Sequence, residues 1–283
     1  MATPTSSPLS AQKLSYVIAK TSSSSVAIKN VPGMISKIKT VDVWAEFENL
    51  TIVGHSKIEK TSFLKTKPLS TSQAGQLGYE FIKEGKPGHG TIFIYGQVHR
   101  PARVKLSEHD WADRVVYSQL AILDELIERG IKHIFVEGLD EDFPPDHPAL
   151  KEQRSFLKRM YADHKAGEPA LKQHIVKGCL GVHIYQCINS DVFLYKTITP
   201  ELMAKHTQEE KAATNFGSLA AILKGQSPER EKSAITFILE FLKKSKGIDV
   251  ALNFGAGHKA ADFAQYCDSE CSPTIFSKKM DKQ

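Results

Sequence analysis

Cysteine is scarce in this sequence: the 283 residues hold only Cys179, Cys187, Cys267 and Cys271. None forms a Cys-x-x-Cys pair, which removes the common zinc and thiol-redox motifs. Cys267 and Cys271 stand one helical turn apart, but no second pair completes a tetrahedral site. The four read as buried or partly exposed thiols. Long apolar runs are missing too. None approaches the ~20 residues that span a bilayer, so no transmembrane segment is expected. The first residues carry Pro4, Pro8 and many serines, not a basic start followed by an apolar stretch. No secretory signal is read there, and a cytoplasmic location is expected. Charge of one sign is also lacking. There are 37 basic and 32 acidic residues, a net +5, with the signs mixed along the chain. No nucleic-acid partner is expected from such a pattern. Finally, there is no Walker lysine loop, no His-Glu-x-x-His helix and no Gly-x-Ser-x-Gly elbow.

What is present is an ordinary globular composition, 41% hydrophobic and 24% charged. Residues 1–30 are rich in Ser and Thr, including Ser22-Ser23-Ser24-Ser25, and have little to bury. They read as a partly mobile segment. Residues 31–283 read as a single α/β domain: a mainly parallel sheet flanked by helices, with an N-terminal β-hairpin extension at 39–54. In that hairpin Val41, Val43, Ala45 and Phe47 alternate with polar neighbours, and Leu50-Thr51-Ile52-Val53-Gly54 follows the break.

Beyond the hairpin, residues 71–86 read as a short helix with Ser72 as cap and Leu77, Phe81 and Ile82 inward. Thr91–Tyr95 is a buried-type strand. A helix follows, started by a capping box at Ser107, lined by Val115, Ile122, Leu123 and Leu126, and closed by Gly130. Ile131–Val136 is the next strand, completing a βαβ unit whose strands must run parallel. Helices are expected at 149–165, 168–178 and 200–211, and strands at Gly181–Ile188 and Val192–Tyr195. His183, inside the first of these strands, reads as a core side chain. Asn215–Gln226 reads as a loop or weak helix, and Ser227-Pro228-Glu229 as a helix start. A strand from Ile248, a helix over Ala260–Cys267 and a strand at Pro273–Phe276 close the chain.

Two of these strands end alike. Thr91–Tyr95 runs into Gly96-Gln97-Val98-His99, and the strand from Ile248 runs into Gly255-Ala256-Gly257-His258. Between them in the chain, Ile131–Val136 ends on Glu137-Gly138. If the three strands are parallel in one sheet, His99, Glu137 and His258 leave it at one edge, where open α/β sheets bind ligands. Two neutral imidazoles and a carboxylate are a fitting ligand set for a divalent metal with open positions. The same trio without metal suits general acid–base hydrolysis. Arg100 stands next to His99, placed to hold a carboxylate or an oxyanion. Asp262, one turn after His258, is a candidate partner for its ring. Gly255-Ala256-Gly257-His258-Lys259-Ala260 also fits a minimal dinucleotide fingerprint, but no acid follows at the distance that a ribose contact needs.

Taken in order, Gly96-Gln97-Val98-His99, Val136-Glu137-Gly138-Leu139-Asp140 and Gly255-Ala256-Gly257-His258 resemble the TraB/PrgY/Tiki-like superfamily, with its erythromycin-esterase-like and ChaN-like relatives. Members carry two Gly-x-x-His motifs and an acid after an intervening strand. Gly138 stands where the family usually has leucine, and residues 1–88 fall outside the likeness. The resemblance implies an α/β fold with its site at the sheet edge. It implies a metal-dependent hydrolase of peptide or ester bonds, acting on a peptide or small-molecule substrate. His99, Glu137 and His258 would hold manganese, cobalt or zinc, and Arg100 would position the substrate. The alternatives it implies are a haem- or small-ligand-binding protein using the same crevice, and an inactive interaction protein of this fold.

Overall fold

The computed structural model describes residues 69–98, 109–139, 141–176 and 180–280. The N-terminal segment 1–30, the hairpin at 39–54 and the capping box at Ser107 lie outside the described residues. Six strands make one sheet: β1 (Glu80–Lys83), β2 (Thr91–Gln97), β3 (His133–Val136), β4 (Phe193–Tyr195), β5 (Val250–Gly255) and β6 (Thr274–Lys279). Their order is β1-β6-β2-β5-β3-β4. Only β1 is antiparallel to its neighbour; every other pairing is parallel. The three strands carrying the motifs are therefore adjacent, with β5 between β2 and β3. Gln97 lies beside Gly255 and Val136 beside Asn253, so the three chains leave the sheet almost level with one another.

Eight helices accompany the sheet among the described residues: α1 (Thr71–Gln76), α2 (His109–Arg129), α3 (Pro148–Lys165), α4 (Ala170–Val176), α5 (Gly181–Ile188), α6 (Pro200–Lys211), α7 (Phe216–Lys244) and α8 (Ala260–Ala264). None of them is long and apolar enough to cross a membrane. Side chains alternate across the pleat and split the core in two. Phe93, Tyr95, Ile134, Val136 and Ala251 pack against α2, α3 and α5. Ile92, Ile94, Phe135, Leu252 and Phe254 pack against Ala234, Ile235 and Ile238 of α7 and Phe263 of α8. The strands are apolar on both faces because both faces are covered. From β2 to β3 to β4 the chain steps one way along the sheet, with its helices on the first face. From β4 to β5 to β6 it steps back, with helices on the second. Crossovers of constant hand produce this reversal. As a result β5 leads to a helix on one face while its neighbours β2 and β3 lead to helices on the other, the reversal at which open α/β sheets bind ligands.

Several local expectations change. Gly181–Ile188 is the helix α5, not a strand. Seven of its eight residues are buried, so its apolar run carries no amphipathic period to distinguish the two forms. Gly181 touches α2 so closely that a Cβ there would sit 2.2 Å from the Gln119 carbonyl oxygen. The helix expected over 71–86 stops at Gln76 and gives way to β1, leaving Leu77 and Phe81 exposed. Its cap is Ser70, not Ser72, in a reciprocal box with Gln73. Helix α7 is capped by Asn215, whose side chain accepts the Ser218 N–H, and continues through Pro228.

Candidate active site

Glu137 is the first residue beyond β3, and its backbone N–H still pairs with the Asn253 carbonyl at 2.9 Å. The next residue, Gly138, has φ +81°, which lets the chain turn away at once and leaves the carboxylate at the sheet edge. The residue is 7% exposed. Its Oε2 accepts the Gly255 N–H at 2.6 Å, so the last residue of β5 fixes the acid that follows β3. Its Oε1 lies 3.3 Å from Arg230 Nη1 and 3.7 Å from His258 Nε2.

His258 closes the turn after β5, its N–H bonded to the Gly255 carbonyl at 3.1 Å. Phe254 meets the ring edge-on, with centroids 4.5 Å apart. Nδ1 lies 2.7 Å from Glu231 Oε1 and 2.9 Å from Ser227 Oγ. Burial alone would lower the pKa of this imidazole. The carboxylates of Glu137 and Glu231, one on each ring nitrogen, outweigh it and hold the pKa above the ordinary histidine value.

Ser227, Arg230 and Glu231 all come from the middle of α7, around the proline. Pro228 has no N–H to return to the helix ladder. Glu231 is 3% exposed and accepts from Ser227 Oγ at 3.2 Å. None of these three was singled out as a site residue from the sequence. The signal was there: Ser227 and Glu231 continue, at helical spacing, the apolar stripe of Ala234, Ile235, Ile238 and Leu242. A charged residue on the stripe that faces a core needs a partner.

The structure thus brings together two of the four expected site residues, Glu137 and His258. His99 and Arg100 lie outside the described residues. Asp262 is not the partner of the His258 ring; Glu231 takes that place. The end of β2 is itself held by buried amides. Gln97 Oε1 accepts from Asn253 Nδ2 at 3.0 Å and from Gln119 Nε2 at 3.3 Å, and Ser118 Oγ accepts the Val98 N–H at 2.7 Å.

Two ligand readings can be tested on this geometry. For a dinucleotide, the Gly255 N–H ought to face a phosphate; the protein's own Glu137 carboxylate already takes it. For a divalent metal, Glu137 Oε1 and His258 Nε2 converge as two donors would, and Glu231 orients the ring as partners of metal-bound histidines do. Yet the Arg230 guanidinium sits on the same Oε1, and a fixed cation competes with an ion for that oxygen. No group of three His, Cys, Asp or Glu side chains suited to a metal occurs among the described residues. Among the described residues Glu137 and His258 fit proton transfer; His99, the third expected metal donor, lies outside them. No protein-family model, curated protein or solved structure matches the chain.

Proposed function

We propose that the chain is a hydrolase that opens an ester or peptide bond with a water activated between His258 and Glu137. The observation that carries this reading is the pair of facing atoms, Glu137 Oε1 and His258 Nε2, 3.7 Å apart. Each belongs to a group anchored at its other end, by the Gly255 N–H and by Glu231. One water within hydrogen-bond reach of both atoms is oriented by the carboxylate and faces the imidazole lone pair. With the ring neutral and its Nδ1–H given to Glu231, Nε2 takes the water proton as the hydroxyl oxygen adds to the carbonyl carbon. Arg230 Nη1 supplies positive charge for the oxygen that becomes anionic. The imidazolium then returns the proton to the departing alcohol or amine, the carbonyl–heteroatom bond breaks, and a carboxylic acid remains.

The test is turnover by the full chain on panels of chromogenic esters and fluorogenic peptides, with and without a chelator. Glu137→Gln should cost about 10²-fold or more in kcat, the usual share of a positioned acid–base group. Turnover should survive the chelator. Activity that vanishes with chelator and returns with manganese, cobalt or zinc would overturn the metal-free step. Activity indifferent to Glu137→Gln would overturn the site.

A further inference from the structure

Proton transfer between Glu137, a water and His258 makes no use of the Ser227 hydroxyl, although that hydroxyl lies against the ring. The geometry points to Ser227 as a positioning residue. Together with Glu231 it fixes the one proton of the neutral His258 ring on Nδ1. The lone pair is thereby left on Nε2, the nitrogen that faces Glu137.

Three atoms form a closed triangle. Glu231 Oε1 is 2.7 Å from His258 Nδ1, and Ser227 Oγ is 2.9 Å from the same nitrogen. Ser227 Oγ also donates to Glu231 Oε1 at 3.2 Å. A hydroxyl has one proton to give, and an ionised carboxylate has none. Ser227 gives its proton to Glu231, so toward Nδ1 it only accepts. Glu231 only accepts as well, and Nδ1 must therefore be the donor to both. The other tautomer would set a nitrogen lone pair 2.7 Å from a carboxylate oxygen, with a single hydroxyl proton to serve the two of them.

Ser227 and Glu231 have separate tasks. Glu231 supplies the charge. Ser227, one helical turn earlier on α7, holds the carboxylate at the angle that presents Oε1 to the ring. Among the described residues, Glu231 has no donor besides Ser227 and the ring itself. Local preference does not account for this bond. A serine or threonine inside a helix ordinarily bonds back to the carbonyl four residues earlier. Thr236 of the same helix does so, to the Lys232 carbonyl at 2.8 Å. Ser227 reaches forward instead, to a buried acid. With the proton held on Nδ1, Nε2 stands 3.7 Å from Glu137 Oε1, too far for a direct hydrogen bond, and is free to take a proton from water.

The kinetic half of this inference rests on the hydrolase reading; the tautomer half does not, and the test reads them apart. Long-range proton–nitrogen NMR on the isotopically labelled full chain follows the His258 ring in its neutral form, assigned by the loss of its signals in His258→Asn. A proton on Nδ1 and none on Nε2 is expected. In Ser227→Ala the proton should spread over both nitrogens, and Ser227→Thr should return it to Nδ1. On an ester that the chain turns over, Ser227→Ala should lower kcat by about tenfold, the share of one hydrogen bond to a charged group, and leave KM within about twofold. Ser227→Thr should recover most of that loss. If the ring behaves as stated and no ester or peptide is turned over, the hydrolase reading falls and the assignment of Ser227 stands. A proton on Nε2 in the unmodified chain overturns the inference, as does a Ser227→Ala ring that keeps its proton on Nδ1. A covalent adduct on Ser227 after treatment with a fluorophosphonate overturns it too, because that hydroxyl would then be a nucleophile.

Discussion

Two histidines, one buried and one partly buried, lie on opposite sides of this sheet, and their environments could hardly differ more. His183 sits in α5, 4% exposed, with its Nε2 unpartnered and no charge against it. Burial alone drives its pKa down to about 4, so it is neutral wherever the protein is folded and in ordinary use. His258 is partly buried, and it holds its proton above the ordinary value against that burial because a carboxylate faces each nitrogen. Burial removes charge from a lone imidazole; burial beside fixed acids concentrates it. The first arrangement fills space. The second stores a proton at the sheet edge where β3 and β5 end, which is a place for chemistry.

The comparison breaks most visibly at His258. His258→Asn should reduce turnover by about 10³-fold, within the range for a general base, and should also lower thermal stability, because it takes the imidazole from the buried Glu231 carboxylate. The equivalent loss at His183 should be invisible in turnover and plain in acid. Unfolded, His183 binds a proton near 6.5; folded, it resists until about 4. Between those values the unfolded chain holds more protons, so stability falls as pH falls, by about 3 kcal/mol over the window. His183→Leu should leave stability at pH 7 within about 1 kcal/mol of the unmodified chain and flatten that acid limb. Denaturant melts at pH 7 and near pH 4.5 read both. Equal acid sensitivity in the two proteins would show that His183 is not the group being titrated.

The same contrast separates what the sequence carried from what it concealed. The pattern of β2, α2 and β3 was legible because strands covered on both faces are almost wholly apolar, and glycines mark their ends. Glu137 and His258 were legible as sheet-edge residues for that reason. Position along a strand does not say which helix packs behind it. Glu231, Arg230 and Ser227 come from α7, over 20 residues before His258, and reach it only through tertiary packing. Pro228 concealed them further, since proline after serine reads as a helix start and here lies inside one. The run Gly181–Ile188 failed differently: buried on every side, it had no period left to read.

Finer effects sharpen the account of His258. If kcat/KM requires its neutral form, activity should rise with pH through an apparent pKa above 6.5. Glu231→Gln removes the charge beside Nδ1 and should move that limb to lower pH, because an adjacent carboxylate raises the pKa of an imidazole. A limb that stays in place would mean that Glu137 alone sets the proton affinity. The smallest expected effect belongs to Asp262, the acid that spacing alone had suggested as the partner of the ring. Its backbone N–H is tied to the Lys259 carbonyl at 3.0 Å, while Nδ1 of His258 is already shared by Glu231 and Ser227. Asp262→Asn should therefore change turnover by less than about twofold and leave the pH limb where it was, as a substitution away from any buried network does. A shift as large as that of Glu231→Gln would mean that the ring turns toward α8 during turnover, with the two acids trading places behind it.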